Sequence, residues 1–186
     1  MRLIILGPPG AGKGTQAVEL AKILKLKHIS PGEFLREEYK KKTKEGLAAY
    51  KYWSKGNLVP DNIIINITLK KLPKNNYILD GFPRTVYEAK TLEKTQPTDL
   101  VLYLTSHKEV IIKRLLHRAV LEGRRDDTLK VIKNRINVYH KRTTPVLTFY
   151  KKKLLKFEGN KRPEPILKEI LKKIATYKKL HKTAPL

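Results

Sequence analysis

The sequence predicts an α/β fold, a three-layer sandwich in which a five-stranded parallel sheet is flanked by helices. Two observations support this prediction. Short apolar runs alternate with longer segments whose apolar residues recur at helical spacing, the order expected of parallel strands joined by helices. The first run, Leu3 to Leu6, is apolar throughout, as in a strand covered on both faces. Because the chain has 186 residues, of which 40% are apolar, we expect one domain with a single core.

The first half of the chain contains two of the predicted strands. The strand at residues 3–6 is followed by a helix that begins at Lys13 and keeps helical spacing to Leu24. The second strand lies near residues 27–29, and the segment Ser30-Pro31-Gly32-Glu33 after it is typical of a helix start. The other helices of this half are predicted at residues 33–43, 46–54 and 62–72.

The second half continues the alternation. Pro73 and the pair Asn75-Asn76 interrupt the chain before a third strand at residues 77–79. The segment Asp126-Asp127-Thr128 is typical of the cap that begins a helix. The remaining strands are predicted at residues 100–104 and 154–157. The remaining helices are predicted at residues 86–94, 109–118, 128–141, from 143 onwards, and 164–180.

The amino-acid composition excludes several classes of protein. The chain has no cysteine, which excludes a disulfide framework and a thiolate zinc site. No apolar run approaches the roughly 20 residues that cross a bilayer, and the run at residues 3–6 is too short for the core of a signal peptide. We therefore expect a cytoplasmic protein with no membrane partner.

The formal net charge of +24 favours polyanion binding at first sight. Of the 41 basic residues, however, only 10 are arginine, and the lysines are spread along the whole chain. Scattered lysines indicate a solvated surface, since fixed phosphate contacts favour arginine. We interpret the charge as surface composition and expect no nucleic-acid partner, with weak polyanion binding as the alternative.

Residues 7–15, called here the phosphate-binding loop, match the pattern Gly-x-x-x-x-Gly-Lys between a predicted strand and a predicted helix. Glycines such as Gly10 and Gly12 let backbone N–H groups converge on phosphate oxygens. The helix that follows directs its positive end at the same oxygens, and Lys13 adds a charge. The position where Ser or Thr usually ligates magnesium is Gly14. The loop predicts a site for a nucleoside triphosphate.

Two motifs carry a resemblance that covers nearly the whole chain. The loop ends in Gly12-Lys13-Gly14-Thr15-Gln16, and Asp80-Gly81-Phe82-Pro83-Arg84 stands at the end of a predicted strand. Both are similar to motifs of adenylate kinases, here of the short-lid type. The resemblance implies one P-loop kinase domain over residues 1–186, with a small helical acceptor-binding subdomain at residues 30–59 and a short lid loop at residues 119–126.

The resemblance also implies the reaction. It is reversible phosphoryl transfer from ATP to a nucleoside monophosphate, with AMP as the first choice and CMP, UMP or GMP as alternatives. The cofactor is Mg²⁺ with ATP, held through water by Asp80, and no zinc is expected. We expect a monomer whose partners are ATP and the monophosphate. The residues that the resemblance assigns to ATP are Gly10, Ala11, Gly12, Lys13, Gly14, Thr15, Arg114 and Arg118.

The residues implied for acceptor binding lie partly in two further segments that resemble the family. Ser30 to Arg36 resembles the family segment whose arginine holds the acceptor phosphate, although Pro31 replaces the usual threonine. Gly56 to Asp61 resembles the segment in which the carbonyl of Val59 would accept a hydrogen bond from the base. The residues implied for the acceptor are Ser30, Pro31, Arg36, Asn57, Leu58, Val59, Gly81, Arg84, Glu88, Arg124 and Arg135.

The catalytic groups are expected to be cations. Arg114 and Arg118 are four residues apart on one predicted helix face, so both can point at one ligand. By resemblance Arg114 flanks the donor adenine, and Arg118, Arg124 and Arg135 converge on the transferring phosphoryl group. A phosphate oxygen is already an anionic nucleophile, so no general base and no covalent intermediate are needed. The expected catalytic residues are Lys13, Arg84, Arg118, Arg124 and Arg135.

Because of Glu88, the sequence leaves open which base the acceptor monophosphate carries. Adenylate kinases have a glutamine at this position, which donates to N1 of adenine and accepts from the N6 amine. An ionised carboxylate can only accept, so guanine or cytosine would suit Glu88 at least as well. Other interpretations are that Glu88 tilts into solvent near Lys90 or that a water bridges to N1. Trp53 is expected to pack within the subdomain.

A function of another class also remains open at this point. A P-loop protein that binds RNA or ribosomal precursors and hydrolyses ATP slowly would fit the net charge. The acceptor arginines Arg36 and Arg84 argue against it.

Overall fold

A computed structural model describes residues 1–124 and 126–182, with the side chains of residues 181 and 182 left aside. Within this part, a single sheet has five strands, all parallel, in the order β2-β3-β1-β4-β5. The strands are β1 Arg2–Leu6, β2 Lys27–Ile29, β3 Tyr77–Asp80, β4 Leu100–Thr105 and β5 Leu154–Glu158. The predicted α/β fold with a five-stranded parallel sheet is confirmed.

Helices connect the strands on both faces of the sheet. They are α1 Lys13–Leu24, α2 Pro31–Lys40, α3 Lys44–Trp53, α4 Asp61–Lys71, α5 Val86–Thr95, α6 Lys108–Leu121, α7 Leu129–Val138, α8 Thr144–Phe149 and α9 Pro163–Lys182. A 3₁₀ turn, Lys151–Lys153, precedes β5. None of the helices in the described ranges combines the length and apolar character that crossing a membrane requires.

Most predicted boundaries differ from the observed ones by three residues or fewer, and two differences have clear causes. Helix α2 begins at Pro31 rather than residue 33, because proline is well suited to the first helical turn. The predicted helix at residues 128–141 ends as an α-helix at Val138, and a π-helical segment, Tyr139–Thr143, joins it to α8.

The core has one layer on each side of the sheet. Successive strand residues point to opposite faces, so Leu3 and Ile5 of β1 pack in one layer and Ile4 and Leu6 in the other. Helices α1 and α9 cover the first layer, and α4, α5 and α8 cover the second. This packing fixes the carboxyl ends of the central strands, where the loops that follow β1 and β3 meet.

Candidate active site

A cleft of about 850 Å³ opens at the carboxyl ends of the strands. Ligands of open parallel sheets bind at this edge because the loops after neighbouring strands converge there. Every residue that the sequence predicted for the site lines this cleft. They are Gly10, Ala11, Gly12, Lys13, Gly14, Thr15, Ser30, Pro31, Arg36, Asn57, Leu58, Val59, Asp80, Gly81, Arg84, Glu88, Arg114, Arg118, Arg124 and Arg135.

The phosphate-binding loop depends on glycine at two positions for different reasons. A Cβ on Gly7 would overlap the carbonyl oxygen of Leu104 in β4, so the loop can leave the sheet only without a side chain there. Gly12 has φ of 93°, in the left-handed region, and a Cβ on it would meet nothing within 4 Å. The space in front of Gly12 is therefore free for a phosphate group.

Lys13 lies at the start of α1 and folds back over its own loop. Its ammonium group donates to the carbonyl oxygens of Gly7 and Pro8, each at 2.8 Å. Burial lowers the pKa of Lys13 to about 8; Asp80 opposes that shift, and Arg84 and Arg118 add to it. A phosphate anion would favour the charged form of this lysine.

Asp80 stands at the end of β3, across from the phosphate-binding loop. Its Oδ2 lies 3.4 Å from the position that a Cβ on Gly14 would take, so the missing side chain brings this carboxylate close to the loop. His28 of β2 places Nε2 at 3.5 Å from the same oxygen. This contact with Asp80 raises the pKa of His28 above its ordinary value.

His28 was not predicted as a site residue, because its nearness to Asp80 depends on which strands are neighbours in the sheet. Strands β2 and β3 are parallel neighbours, with His28 beside Ile78. Residues near their carboxyl ends therefore meet at the same edge of the sheet as Asp80.

Arg36, Arg118 and Arg135, called here the arginine cluster, come together from α2, α6 and α7 around Asp126 and Asp127. Arg118 donates to Oδ2 of Asp127 from Nε at 2.9 Å and from Nη2 at 2.6 Å. Arg135 donates to both aspartates. Arg36 makes a two-pronged contact with Asp126 at 3.3 and 3.0 Å. The two aspartates thus connect the consecutive helices α6 and α7 with α2, which is distant from them in the sequence.

Both aspartates are well shielded from solvent. The side chain of Asp127 is 0% exposed and that of Asp126 is 10% exposed. Burial alone would raise the pKa of Asp126, but Arg36 and Arg135 outweigh it and hold that pKa at about 2. Asp126 is therefore ionised at neutral pH and neutralises part of the charge of the arginine cluster.

Arg114 and Arg118 share a face of α6 and line the same cleft, yet they bond to different groups. Arg114 donates to the carbonyl oxygens of Gly159 at 2.7 Å and Lys161 at 3.4 Å, while Arg118 bonds to Asp127. Arg114 thereby holds the loop after β5 against the cleft. Sequence reasoning did not include this loop, which carries no motif of its own.

Arg84 lies after β3, exposed within the cleft. Its Nε donates to the carbonyl oxygen of Gly81 at 2.6 Å, which fixes the base of the side chain in a tight turn. Arg124 donates to Glu122 at 2.5 Å on the protein surface. This exposed pair contrasts with the shielded contacts of the arginine cluster.

Glu88 is buried, with 2% of its surface exposed, so the interpretation that it tilts into solvent near Lys90 is wrong. It belongs to the first turn of α5, where its N–H donates to Thr85 Oγ1 at 3.1 Å. Its Oε2 accepts from the backbone N–H of Arg84 at 2.5 Å. These reciprocal bonds tie the carboxyl group and the backbone of Glu88 to the start of the helix.

The other segments predicted for the acceptor also line the cleft. Asn57 Oδ1 accepts from Asn134 of α7 at 2.9 Å, which ties the segment at residues 56–61 to the far side of the cleft. The Trp53 ring packs edge-on against Tyr39 and Tyr50, with both centroids 5.7 Å away. The prediction that Trp53 packs within the subdomain agrees with these contacts, and Arg36 lies 5.4 Å above the same ring.

The predicted lid loop at residues 119–126 begins inside a helix. Helix α6 continues to Leu121, so residues 119–121 form its last turn and the loop begins at Glu122. Arg125 lies outside the described residues, and Thr128 caps α7 by accepting from the N–H of Val131.

The family model described as Adenylate kinase matches residues 5–155. An adenylate kinase of Cyanothece sp. (strain PCC 7425 / ATCC 29141) is 43% identical over 180 residues, covering 91% of this chain and 92% of that protein. An adenylate kinase of Leptospira biflexa serovar Patoc (strain Patoc 1 / Ames) is 44% identical over 184 residues, covering 93% of this chain and 99% of its own. An adenylate kinase of Caldicellulosiruptor saccharolyticus is 38% identical over 210 aligned positions, covering 92% and 98%.

Proposed function

Because the chain belongs to the adenylate kinase family, we infer that it catalyses the reversible transfer of the terminal phosphoryl group of ATP to AMP, giving two ADP. The observation that carries this function is that the phosphate-binding loop and the acceptor arginines Arg36 and Arg84 line one cleft. A protein that only hydrolyses ATP needs the loop but has no use for arginines on the acceptor side.

The step is an in-line displacement at phosphorus. A phosphate oxygen of AMP forms a bond to the γ-phosphorus while the bond from that phosphorus to the β,γ-bridging oxygen breaks, and ADP leaves with that oxygen. No proton has to be removed, so the residues act by position and charge. Lys13 lies where it can follow the charge on the β- and γ-phosphates, and Arg84 and Arg36 would hold the phosphate of AMP.

Arg118, Arg124 and Arg135 would neutralise the equatorial oxygens of the transferring group. Arginine suits this task because its planar fork donates to two oxygens at once. In this proposal, residues 30–59 form the AMP-binding subdomain and residues 119–126 form the lid. Closure of the lid would bring Arg124 inward and expel water that could otherwise accept the phosphoryl group.

The residues around Asp80 fit a magnesium ion. Within residues 1–124 and 126–182, no group of three or more His, Cys, Asp or Glu side chains could enclose a metal. Mg²⁺ prefers oxygen ligands and keeps several waters, so a single carboxylate beside the phosphate-binding loop suits it. Asp80, 12% exposed and close to Gly14, would hold the ion through water. When bound with ATP, the ion supplies positive charge to the β- and γ-phosphates.

The function is tested by measuring ADP formation from ATP with AMP, CMP, UMP or GMP as acceptor. We expect AMP to give the highest kcat/KM and ATP to remain intact when no monophosphate is added. Better turnover with another monophosphate would overturn the choice of AMP. ATP hydrolysis that needs no acceptor and rises with added RNA would instead favour the nucleic-acid-bound ATPase. The monomeric state and the cytoplasmic location stay predictions.

A further inference from the structure

Glu88 is the one acidic side chain at the acceptor end of the cleft that is buried to this degree among the described residues. Its Oε2 already accepts from the N–H of Arg84 at 2.5 Å. Each oxygen of a carboxyl group has two lone pairs, so Oε2 can accept one more hydrogen bond beside that from Arg84, and Oε1 has the capacity for a further one. The position of the carboxyl group is fixed by the start of α5 rather than by a flexible surface.

The Watson–Crick edge of adenine presents an acceptor, N1, beside a donor, the N6 amine. An ionised carboxylate offers acceptors only and therefore meets the lone pair of N1 with like polarity. A protonated carboxylic acid offers one donor and one acceptor side by side. It matches adenine in both places, as the amide of a glutamine would.

We propose that Glu88 binds AMP as the neutral carboxylic acid, donating its proton to N1 of adenine while its other oxygen accepts from the N6 amine. This inference rests on the proposed function and extends it to the recognition of the base. Oε1 carries the proton to N1, and Oε2 accepts from N6 together with the N–H of Arg84. Every polar atom on both sides then has a partner.

The groups around Glu88 favour this form. Burial raises the pKa of Glu88 to about 7; the backbone N–H and the charge of Arg84 lower it, Asp61 on α4 raises it, and the backbone N–H of Thr85 lowers it. Asp61 lies close because its Oδ2 accepts from Thr85 Oγ1 at 2.8 Å. A base that covers the carboxyl group excludes water further and shifts the balance towards the neutral acid.

The direct test is the pH dependence of the acceptor step. We would measure kcat/KM for AMP at saturating ATP from pH 6 to pH 8.5 for the wild type and for Glu88→Gln. The ratio of wild type to Glu88→Gln cancels the titration of the AMP phosphate and of Lys13, which both proteins share. We expect the ratio to be level below pH 7 and to fall about tenfold per pH unit well above it, because only Glu88 loses a proton. A ratio that stays constant across this range overturns the inference.

A second measurement does not depend on the variant folding. 1-Deaza-AMP has the phosphate and the N6 amine of AMP but carries C–H in place of N1. With the wild type, we expect the preference for AMP over 1-deaza-AMP to be largest at pH 6 and to shrink as the pH rises. A preference that does not change with pH contradicts a proton shared between Glu88 and N1.

The preference for one base over another is a measurement that a purely structural role of Glu88 would not change. Guanine presents two donors, N1–H and the N2 amine, and suits an ionised carboxylate. The ratio of kcat/KM for GMP to that for AMP should therefore rise with pH in the wild type and stay level in Glu88→Gln. If both proteins make ADP from ATP and AMP but these ratios do not move, only the inference fails. If neither makes ADP from AMP at any pH, the proposed function fails with it.

Discussion

The phosphate-binding loop and the arginine cluster both present positive charge to the cleft, but they are held in place in different ways. The loop is local: its cation, Lys13, donates to two carbonyl oxygens five and six residues earlier in the chain. The cluster includes a long-range contact, since Arg36 and Asp126 are 90 residues apart, beside contacts between residues eight or nine apart. Its arginines are paired with carboxylates, whereas no ion pair of Lys13 is found among the described residues.

This difference indicates which part of the cleft can bind an anion without giving up a contact with a carboxylate. A phosphate group can meet the loop without displacing a carboxylate. In the cluster, a phosphate group must share or replace Asp126 and Asp127 as the partner of each arginine. We therefore expect the loop to serve binding and the cluster to respond to the charge that develops during transfer. Four substitutions or conditions test this comparison.

Removal of one arginine should give the largest effect. For Arg118→Ala and for Arg84→Ala we expect a loss of about 3–4 kcal/mol of transition-state stabilisation, since the first removes the charged donor proposed for the transferring group and the second the one proposed for the phosphate of AMP. Steady-state kcat/KM for AMP and for ATP measures this loss. Arg2→Ala, which removes an arginine at the start of β1 outside the cleft, serves as the control. A tenfold loss or less in both test variants would contradict the assigned roles.

Removal of a carboxylate from the cluster should act on stability. Asp127→Asn leaves Arg118 and Arg135 without the buried charge that they share, and we expect the free energy of unfolding to fall by about 3 kcal/mol. Urea denaturation measures it. Glu122→Gln is the matched control: it breaks the exposed pair with Arg124, for which we expect less than about 1 kcal/mol. Equal losses in the two variants would show that the shielding of Asp127 does not matter.

Acid should weaken the cluster but not the loop. The pKa of Asp126 is about 2 in the folded protein against an ordinary value of 3.8, so its ionised form is favoured by folding. The stability that this contributes is complete above pH 3.8 and is lost as the pH falls towards 2. We expect the difference in unfolding free energy between the wild type and Asp126→Asn to shrink by about 1–2 kcal/mol over that interval. A difference that is independent of pH would argue against the ion pairs with Arg36 and Arg135.

The smallest effect is expected in the loop. Gly12→Ala forces an alanine into the left-handed region, at φ of 93°, without a steric contact, and should lower the unfolding free energy by about 1 kcal/mol. The added methyl group enters the space proposed for phosphate, so KM for ATP should rise while KM for AMP changes little. An equal change in both constants would mean that the substitution disturbs the whole cleft rather than the loop.

Much of the fold and the composition of the site could be predicted from the sequence. The apolar run at residues 3–6 and the glycine pattern after it are local signals, so strand, loop and helix were predicted together, and all were observed. The contact of His28 with Asp80 could not be predicted from spacing alone, because it depends on which strands are neighbours. Residues 119–121 were assigned to the lid loop by resemblance, but these three apolar residues form the last turn of α6.

The sequence by itself predicted the parallel sheet and the phosphate-binding loop, because both depend on neighbouring residues or on a fixed short spacing, and the resemblance implied the cations. Only the tertiary structure decided what surrounds those residues. It paired Arg118 and Arg135 with Asp127, and it buried Glu88 between Arg84 and Asp61 instead of leaving it in solvent. The physical reason is that burial and charge act through space, so the protonation of one carboxyl group depends on elements that meet only when the chain is folded.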